Sequence, residues 1–257
     1  MSALQYVASD TLVLAERSVK RIRRQPDLLV GFTVQPIMFV LLFVYVFGGA
    51  ISTPGLDYVD FLMPGIIVQS MVFGGFVTAL GLSEDLKKGL IDRFRSLPMW
   101  GPAVLTGRIL ADVGTNAIQL VVMLTVGIIA GFRFSTSAPE VIAGIALLFL
   151  FGYAFSWVFA FIGLTASSPE AANAYGFTIL FPVTFVSSAF VPVDSMPSWL
   201  QPIAEHNPFT TMVNAVRALF VGTPAGNDIW LSVLWGLGIT LAFGLLSVWR
   251  YRRAVQR

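Results

Sequence analysis

The sequence predicts an all-α polytopic membrane protein. Hydrophobic residues make up 56% of the 257 residues, and the mean hydropathy of +0.79 lies well above that of a soluble domain. The 22 phenylalanines and six tryptophans suit a lipid-facing surface better than a water-facing one. The apolar residues also recur in blocks of about 20, the length that a helix needs to cross a bilayer. One or two ordinary soluble domains are therefore excluded.

Six apolar runs are long enough to span a membrane. They cover residues 28–51, 61–82, 103–131, 141–166, 174–193 and 229–249. Residues 1–27 contain no apolar signal-peptide core, and the first run is too long to be one. We therefore expect it to be a transmembrane helix.

The positions of lysine and arginine predict the orientation of these spans. Basic residues cluster before the first span, between the second and third, and after the sixth, whereas the outer loops carry only Arg133 and Arg217. Cytoplasmic loops are enriched in Lys and Arg, so both termini are predicted to lie in the cytoplasm, with the protein in the plasma membrane. The loop at 167–173 has no basic residue, and its inner placement rests on the number of spans. The basic clusters suit anionic membrane lipid better than nucleic acid.

Residues 1–27 are predicted to form an amphipathic helix in the inner membrane interface. Apolar residues recur at helical spacing from Leu4 to Ile22, and basic residues line much of the remaining surface. Pro26 disfavours helix at the residue before it, so this helix should end near Gln25. A basic leader without helical structure is the alternative.

A charged segment, residues 84–98 (EDLKKGLIDRFRSLP), separates the second and third spans. It holds seven charged side chains in a chain that averages 12%. Ser83 could cap a helix here and Pro98 could end it, and its leucines and Phe94 share one helical face. Interleaved acidic and basic residues favour a docking surface for another protein; a solvated connector is the alternative. The predicted docking residues are Glu84, Asp85, Lys87, Lys88, Gly89, Asp92, Arg93 and Arg95.

Residues 194–222 are predicted to form two short helices on the outer side. Several prolines interrupt the segment, and the second helix should have Asn207 as its N-cap and Pro208 at its first position, ending before Gly222. Neither helix is long enough to cross. We expect a re-entrant pair, which is allowed only where protein covers the backbone; a soluble external loop is the alternative.

The sequence offers no catalytic or metal-binding motif. It contains no cysteine and one histidine, His206. A nucleotide-binding P-loop requires Gly-Lys followed by Ser or Thr, but Lys20, Lys87 and Lys88 follow Val, Leu and Lys. The chain is therefore predicted to be no enzyme and to carry no cofactor of its own.

Polar residues inside the predicted spans are candidates for lining a transport pathway. Asp112, Asn116 and Gln119 follow helical spacing on the third span and could face a cavity together with Gln69 of the second. The alternative is local: Arg108 pairs with Asp112 four residues later, and the amides hydrogen-bond between helices. An ion-coupled secondary transporter would need buried charges, and only Asp112 is available for that role.

Glycine pairs and prolines within the spans predict where helices pack closely or bend. Gly48 with Gly49, and Gly74 with Gly75, are predicted close-packing sites. The prolines expected to kink or interrupt a span are Pro36, Pro64 and Pro182.

Three runs of the sequence resemble the ABC-2 type transporter permeases, in particular the daunorubicin/doxorubicin-resistance branch. They are PIMFVLLFVYVFGGA at 36–50, GLSEDLKKGLIDRFRSLPMWGPAVLTGRILADV at 81–113 and SPEAANAYGFTILFPVTFVSSAFVPVDSMPSWLQPIAEHNPFTTMVNAVRAL at 168–219. The resemblance covers nearly the whole chain. Residues 99–102, MWGP, depart from the family, whose members often place a polar or basic residue there.

The resemblance implies a half-transporter of six spans that forms a homodimer or heterodimer with a second permease chain. It also implies two copies of a separate ATPase subunit, on which ATP and Mg²⁺ would act. Residues 84–98 would then be a coupling helix inserted into the ATPase, and the N-terminal helix would contact it too. The expected cargo is a drug, an antibiotic or a lipid; a lipid or polysaccharide exporter of the same family is the alternative.

Overall fold

The computed structural model describes residues 26–48, 51, 53, 55–89 and 103–255. The predicted interfacial helix, apart from its last two residues, and the second part of the predicted coupling helix therefore lie outside the described residues.

The described part of the chain is helical and contains no strand, which confirms the all-α class. A π-helical segment, Leu42–Phe47, continues the first helix, and a 3₁₀ turn occupies Val193–Ser195. The α-helices are α1 (Pro26–Leu41), α2 (Tyr58–Phe73), α3 (Phe76–Lys87), α4 (Ala103–Ile129), α5 (Ala138–Thr165), α6 (Pro169–Phe185), α7 (Gln201–Glu205), α8 (Pro208–Val221) and α9 (Asp228–Val255).

Four helices in the described residues are long and apolar enough to cross a membrane. They are Tyr58–Lys87, which joins α2 and α3, Leu105–Ile129, Ala138–Thr165 and Asp228–Arg253. These helices coincide with the second, third, fourth and sixth predicted spans. The first predicted span contains a shorter apolar helix, Val34–Phe47. The six-span arrangement remains a prediction.

The fifth predicted span, 174–193, differs from the observed helix at both ends. α6 begins at Pro169, where the Ser168 hydroxyl caps it by accepting a hydrogen bond from Ala171 N at 3.2 Å. It ends at Phe185, because the Asn207 side chain donates to the carbonyls of Val183 and Val186 at 2.7 and 2.6 Å. A side chain thus satisfies carbonyl groups at the end of the helix, and the backbone is free to turn.

Helix α5 lies at the centre of the fold and contacts α2, α3, α4, α6, α8 and α9. Of these four helices, Tyr58–Lys87 is the most buried. In its most apolar stretch 89% of the residues are buried, against 11% in α9. The exposed side of α9 is rich in Leu and Trp, as expected of a surface that faces lipid. In the predicted orientation α2 begins at the outer side and α3 ends at the inner side.

The second span is interrupted at Gly74 and Gly75. Gly75 N donates to Val72 O at 3.2 Å, and Thr78 N donates to Gly75 O at 3.0 Å, so both hydrogen bonds span three residues instead of four. A Cβ on Gly75 would lie 2.5 Å from the Phe159 ring, which confirms close packing here. Pro64 was predicted to kink or interrupt its helix. It lies inside α2, which continues past it and ends only at the glycine pair.

The inner end of α3 corrects the predicted start of the coupling helix. Ser83 does not cap a new helix, because it is buried inside α3, which continues to Lys87. The helix ends there because Gly89 adopts φ +64°, a conformation that residues with a Cβ rarely take. Glu84 and Asp85 therefore belong to the last turn of the second span.

The outer segment forms the two short helices that the sequence predicts. Asn207 caps α8 by accepting a hydrogen bond from Phe209 N at 2.9 Å, and Gly222 ends the helix with φ +81°. The apolar face of α8 is buried through Met212, Ala215, Val216, Leu219 and Phe220. The re-entrant placement of the pair stays a prediction.

Candidate functional site

Polar side chains join α3 to α4 along the inner half of the second span. Thr78 Oγ1 donates to Asp112 Oδ2 at 2.7 Å, and Arg108 Nη1 donates to Asp85 Oδ2 at 2.8 Å. One turn further outward, Asn116 packs against Gly74. We name these four side chains and Asn116 the polar ladder, because its steps follow the antiparallel register of the two helices.

The polar ladder is almost completely buried. Asp85 is 5% exposed and Arg108 8%, and Asp112 and Asn116 are each 1% exposed. The apolar side chains of Leu82, Leu105, Ile109 and Trp157 form a cluster on the same helices and α5. Buried charges are tolerated only when they are paired and hydrogen-bonded. The ladder therefore fixes α3 and α4 to each other.

Gly81 makes room for the charged step of the ladder. A Cβ at this position would overlap the Arg108 guanidinium, which lies against the glycine. Any larger residue at position 81 would displace Arg108 from Asp85. This glycine lies one turn before Asp85, so the same stretch of α3 supplies both the acceptor and the space for the donor.

The ladder answers the two alternatives left open for Arg108 and Asp112. Arg108 does not form its ion pair within its own helix, as the local alternative supposed, but with Asp85 of α3. Asp112 instead accepts a hydrogen bond from Thr78 of α3. Asp85 was predicted to lie on the charged docking face. In the structure Asp85 is buried and pairs with Arg108.

The four predicted pathway residues occupy two places. Asp112 and Asn116 belong to the ladder, and Gln119 lies beside Gly74 next to Asn116. Gln69 lies elsewhere, on a cavity of about 10 Å³ between α1 and α2. The other residues that line this cavity are Gln35, Pro36, Phe39, Ser70 and Phe73.

A strip of phenylalanines runs along α6 towards that cavity. Phe177 and Phe181 form a tilted pair with ring centroids 5.6 Å apart, and Phe181 stacks on Phe185 at 5.2 Å and Phe185 on Phe190 at 5.0 Å. Phe39, which lines the cavity, lies 6.0 Å from Phe190. We name these five rings the aromatic strip. Two of them, Phe181 and Phe185, are each 39% exposed and could contact a flat apolar molecule.

Arg217 fastens the outer half of the second span. Its Nε donates to Phe61 O at 3.0 Å, Nη2 donates to Ser188 O at 2.8 Å, and Nη1 donates to Asn214 Oδ1 at 3.0 Å. The guanidinium also lies 3.8 Å from the centroid of the Phe61 ring. Tyr58 OH adds a bond to Phe190 O at 3.2 Å. We name Arg217 and Tyr58 the outer clamp.

The inner end of α3 presents charge to the predicted cytoplasmic side. Lys87 and Lys88 are exposed, and Lys88 lies 3.6 Å from Glu84. The docking candidates Asp92, Arg93 and Arg95 lie outside the described residues. Sequence reasoning missed Thr78, Gly81 and Arg217, because each acts on a residue far away in the chain and none breaks a local pattern.

Comparison with known proteins finds one family and several relatives. Residues 9–221 match the family model of ABC-2 type transporters. The daunorubicin resistance ABC transporter permease protein of Streptomyces coeruleorubidus is 34% identical over 244 residues, which cover 95% of this chain and 86% of that protein. A Mycobacterium tuberculosis protein named "Probable doxorubicin resistance ABC transporter permease protein" is 25% identical over 254 residues, 98% of this chain and 92% of that protein.

Proposed function

Because this chain belongs to the ABC-2 type transporter family, we propose that it is the membrane-spanning permease subunit of an ATP-driven drug exporter. The observation that carries this proposal is the match over nearly the whole chain to a permease named for daunorubicin resistance. The sequence has no P-loop lysine, so the energy has to come from a separate ATPase subunit.

The proposed cargo is a hydrophobic or amphipathic compound with a flat aromatic part. The aromatic strip supports this choice, since offset stacking of planar rings is favourable and adapts to many shapes. Gln35 and Gln69 line the small cavity at the end of the strip, and they would hydrogen-bond polar groups of such a compound once the cavity widens. We therefore keep Gln69 as a pathway residue. Asp112, Asn116 and Gln119 have a second candidate role, which is to hold the second and third spans together.

We propose that the chain crosses the plasma membrane six times, with both termini in the cytoplasm. The assembly would contain a second permease chain and two ATPase subunits. Residues 84–98 would form the coupling segment, with an N-terminal interfacial helix beside it. The exposed lysines Lys87 and Lys88 support a docking role for the inner end of α3. Because Asp85 is buried beside Arg108, we assign docking to Glu84, Gly89, Asp92, Arg93 and Arg95 together with the two lysines.

The proposed mechanism transmits movement of the ATPase through this segment. Closure of the ATPase around ATP would push residues 84–98 and, through the continuous backbone, α3. The Asp85–Arg108 pair would carry the same movement into α4, because breaking a buried ion pair is costly. The two helices that flank the charged segment would then move as one unit.

Cargo-stimulated ATP hydrolysis tests this proposal. The full chain is coexpressed with the candidate ATPase, copurified, reconstituted in lipid nanodiscs and supplied with doxorubicin, a lipid or a polysaccharide. We expect the two proteins to copurify and doxorubicin to raise the hydrolysis rate. If only lipid or polysaccharide raised the hydrolysis rate, the chain would instead be assigned to the lipid or polysaccharide exporters of the same family. Failure of every candidate ATPase to copurify would contradict the proposal.

A further inference from the structure

We propose that Gly74 and Gly75 form a hinge that divides the second span into two separately anchored halves. The inference rests on the proposed function, since it describes how movement of residues 84–98 is converted within the membrane. The two halves are α2 on the outer side and α3 on the inner side.

The backbone at the glycine pair supports bending. The hydrogen bonds from Gly75 N and Thr78 N span three residues, so the helix tightens at this point. A short 3₁₀ turn inside a long helix often marks a hinge. Both glycines have right-handed helical dihedral angles, with φ −54° and −66°. These angles do not require glycine. Glycine would instead allow the backbone to change to other angles when the helix bends, because it has no Cβ.

The two halves are held by different parts of the protein. Helix α2 packs on α1 and α8, whereas α3 packs on α6, and both contact α4 and α5. The outer clamp holds α2 through Phe61 and Tyr58. The polar ladder holds α3 through Asp85 and Thr78. A push on α3 would thus be shared with α4, and α4 would slide along α2, which the outer clamp holds to the outer segment.

Asn116 lies at the junction of the two halves. A Cβ on Gly74 would overlap its side-chain oxygen, and a Cβ on Gly152 of α5 would lie 2.8 Å from its side-chain nitrogen. The oxygen is buried and accepts no hydrogen bond from the described residues. A buried acceptor without a donor is costly. Any side chain at position 74 would therefore have to displace Asn116 from the junction.

The hinge can be stiffened without creating a clash. Gly74→Ala alone would collide with Asn116, so the test variant is Gly74→Ala with Asn116→Ala, and its reference is Asn116→Ala alone. A second pair, Gly75→Ala with Phe159→Leu against Phe159→Leu alone, repeats the test if the first variant folds poorly. Gly238→Ala is the control, because a Cβ at position 238 has no atom within 4 Å.

Distances between spin labels measure the bending directly. The chain has no cysteine, so labels can be placed on cysteines introduced at the exposed residues Asp57 and Lys87 at the two ends of the second span. The matched pair is Ala138 and Thr165, exposed at the ends of the uninterrupted α5. Each pair lies about 40–45 Å apart along a helix of this length. The measurement uses the full chain in nanodiscs and requires no ATPase.

We expect a broader distance distribution for the pair at 57 and 87 than for the pair at 138 and 165. The stiffened variants should narrow the first distribution and leave the second unchanged, whereas Gly238→Ala should change neither. Equal widths for both pairs, unaffected by either stiffened variant, would overturn the hinge. This result would leave the proposed function standing, since copurification with an ATPase is measured independently. If the hinge serves transport, the stiffened variants should also lose most drug efflux while still copurifying with the ATPase.

Discussion

Arg108 and Asp85 form a buried ion pair of 2.8 Å that joins the two helices on either side of the charged inner segment. The two residues are 23 positions apart in the chain. The pair joins the last turn of α3 to the first two turns of α4. A movement of residues 84–98 would therefore reach α3 and α4 together, as the proposed mechanism requires.

Removing one member of this pair should destabilise the protein more than removing both. Asp85→Ala removes the carboxylate that pairs with the buried Arg108, at a cost of about 3–5 kcal/mol, whereas Asp85→Leu with Arg108→Met should recover most of that loss. Thermal unfolding in detergent measures the difference. The double variant should still transport poorly, because its two helices are no longer tied by charge.

The matched control for the ion pair is Glu84→Gln. Glu84 and Lys88 are 3.6 Å apart and Lys88 is 64% exposed, so this pair should contribute about 0.5 kcal/mol or less. An Asp85→Ala protein as stable as the Glu84→Gln protein would show that the buried pair does not hold the helices together. Normal efflux by the Asp85→Leu, Arg108→Met protein would show that the ion pair plays no part in coupling.

Gly81→Ala should break the ladder without touching a charged residue. The added methyl overlaps the Arg108 guanidinium, and overpacking of this kind costs about 1–3 kcal/mol. Gly238→Ala should instead be neutral or stabilising, because nothing lies within 4 Å of the new methyl and alanine favours helix. Unfolding temperatures of the two variants give the comparison, and equal values would argue against the tight fit at Gly81.

Asn207→Asp should separate the two roles of Asn207. The aspartate can still cap α8 by accepting from Phe209 N, but it cannot donate to the carbonyls of Val183 and Val186. Each buried acceptor left without a donor costs about 1–3 kcal/mol. Asn207→Ala loses the cap as well, at about 1 kcal/mol more. If Asn207→Asp were as stable as the native protein, the end of α6 would not depend on this side chain.

Charge reversal at the inner end of α3 should weaken ATPase binding without affecting membrane insertion. Lys87→Glu with Lys88→Glu changes two exposed side chains and leaves the buried Asp85 in place. Copurification with the ATPase measures docking, and membrane fractionation measures insertion. A charge reversal at the exposed Glu205 of the predicted outer segment, Glu205→Lys, serves as the control. Unchanged copurification of the doubly reversed protein would count against docking at these lysines.

Local chemistry in the sequence was sufficient to predict much of the outer segment. The bounds of α8 follow from Asn207, Pro208 and Gly222, whose preferences for the cap, the first turn and the left-handed terminus are intrinsic to the residues. The second, third, fourth and sixth spans were equally predictable, since a long apolar run needs no partner to be recognised. The bounds of the first and fifth helices were harder to predict. Both begin before the apolar run, at Pro26 and Pro169, and both end before the run does, at Phe47 and Phe185.

The polar ladder could not be predicted from the sequence. A helical wheel places Asp85 on the charged face of α3, and only the presence of Arg108 on a neighbouring helix turns it inward. The change of helix in the second span was equally hidden. Pro64 is the stronger helix breaker by intrinsic preference, yet the interruption lies at Gly74 and Gly75, where Asn116 and Phe159 approach the backbone. Both features depend on tertiary contacts.

ATP-dependent drug uptake into inverted membrane vesicles tests the proposed exporter function most directly. Vesicles containing the full chain with its ATPase are compared with vesicles containing the chain alone, using doxorubicin fluorescence to follow accumulation. We predict uptake only when both proteins and ATP are present, with loss of uptake in the Lys87→Glu, Lys88→Glu protein. Equal uptake by the chain alone, driven by an ion gradient instead of ATP, would contradict this function.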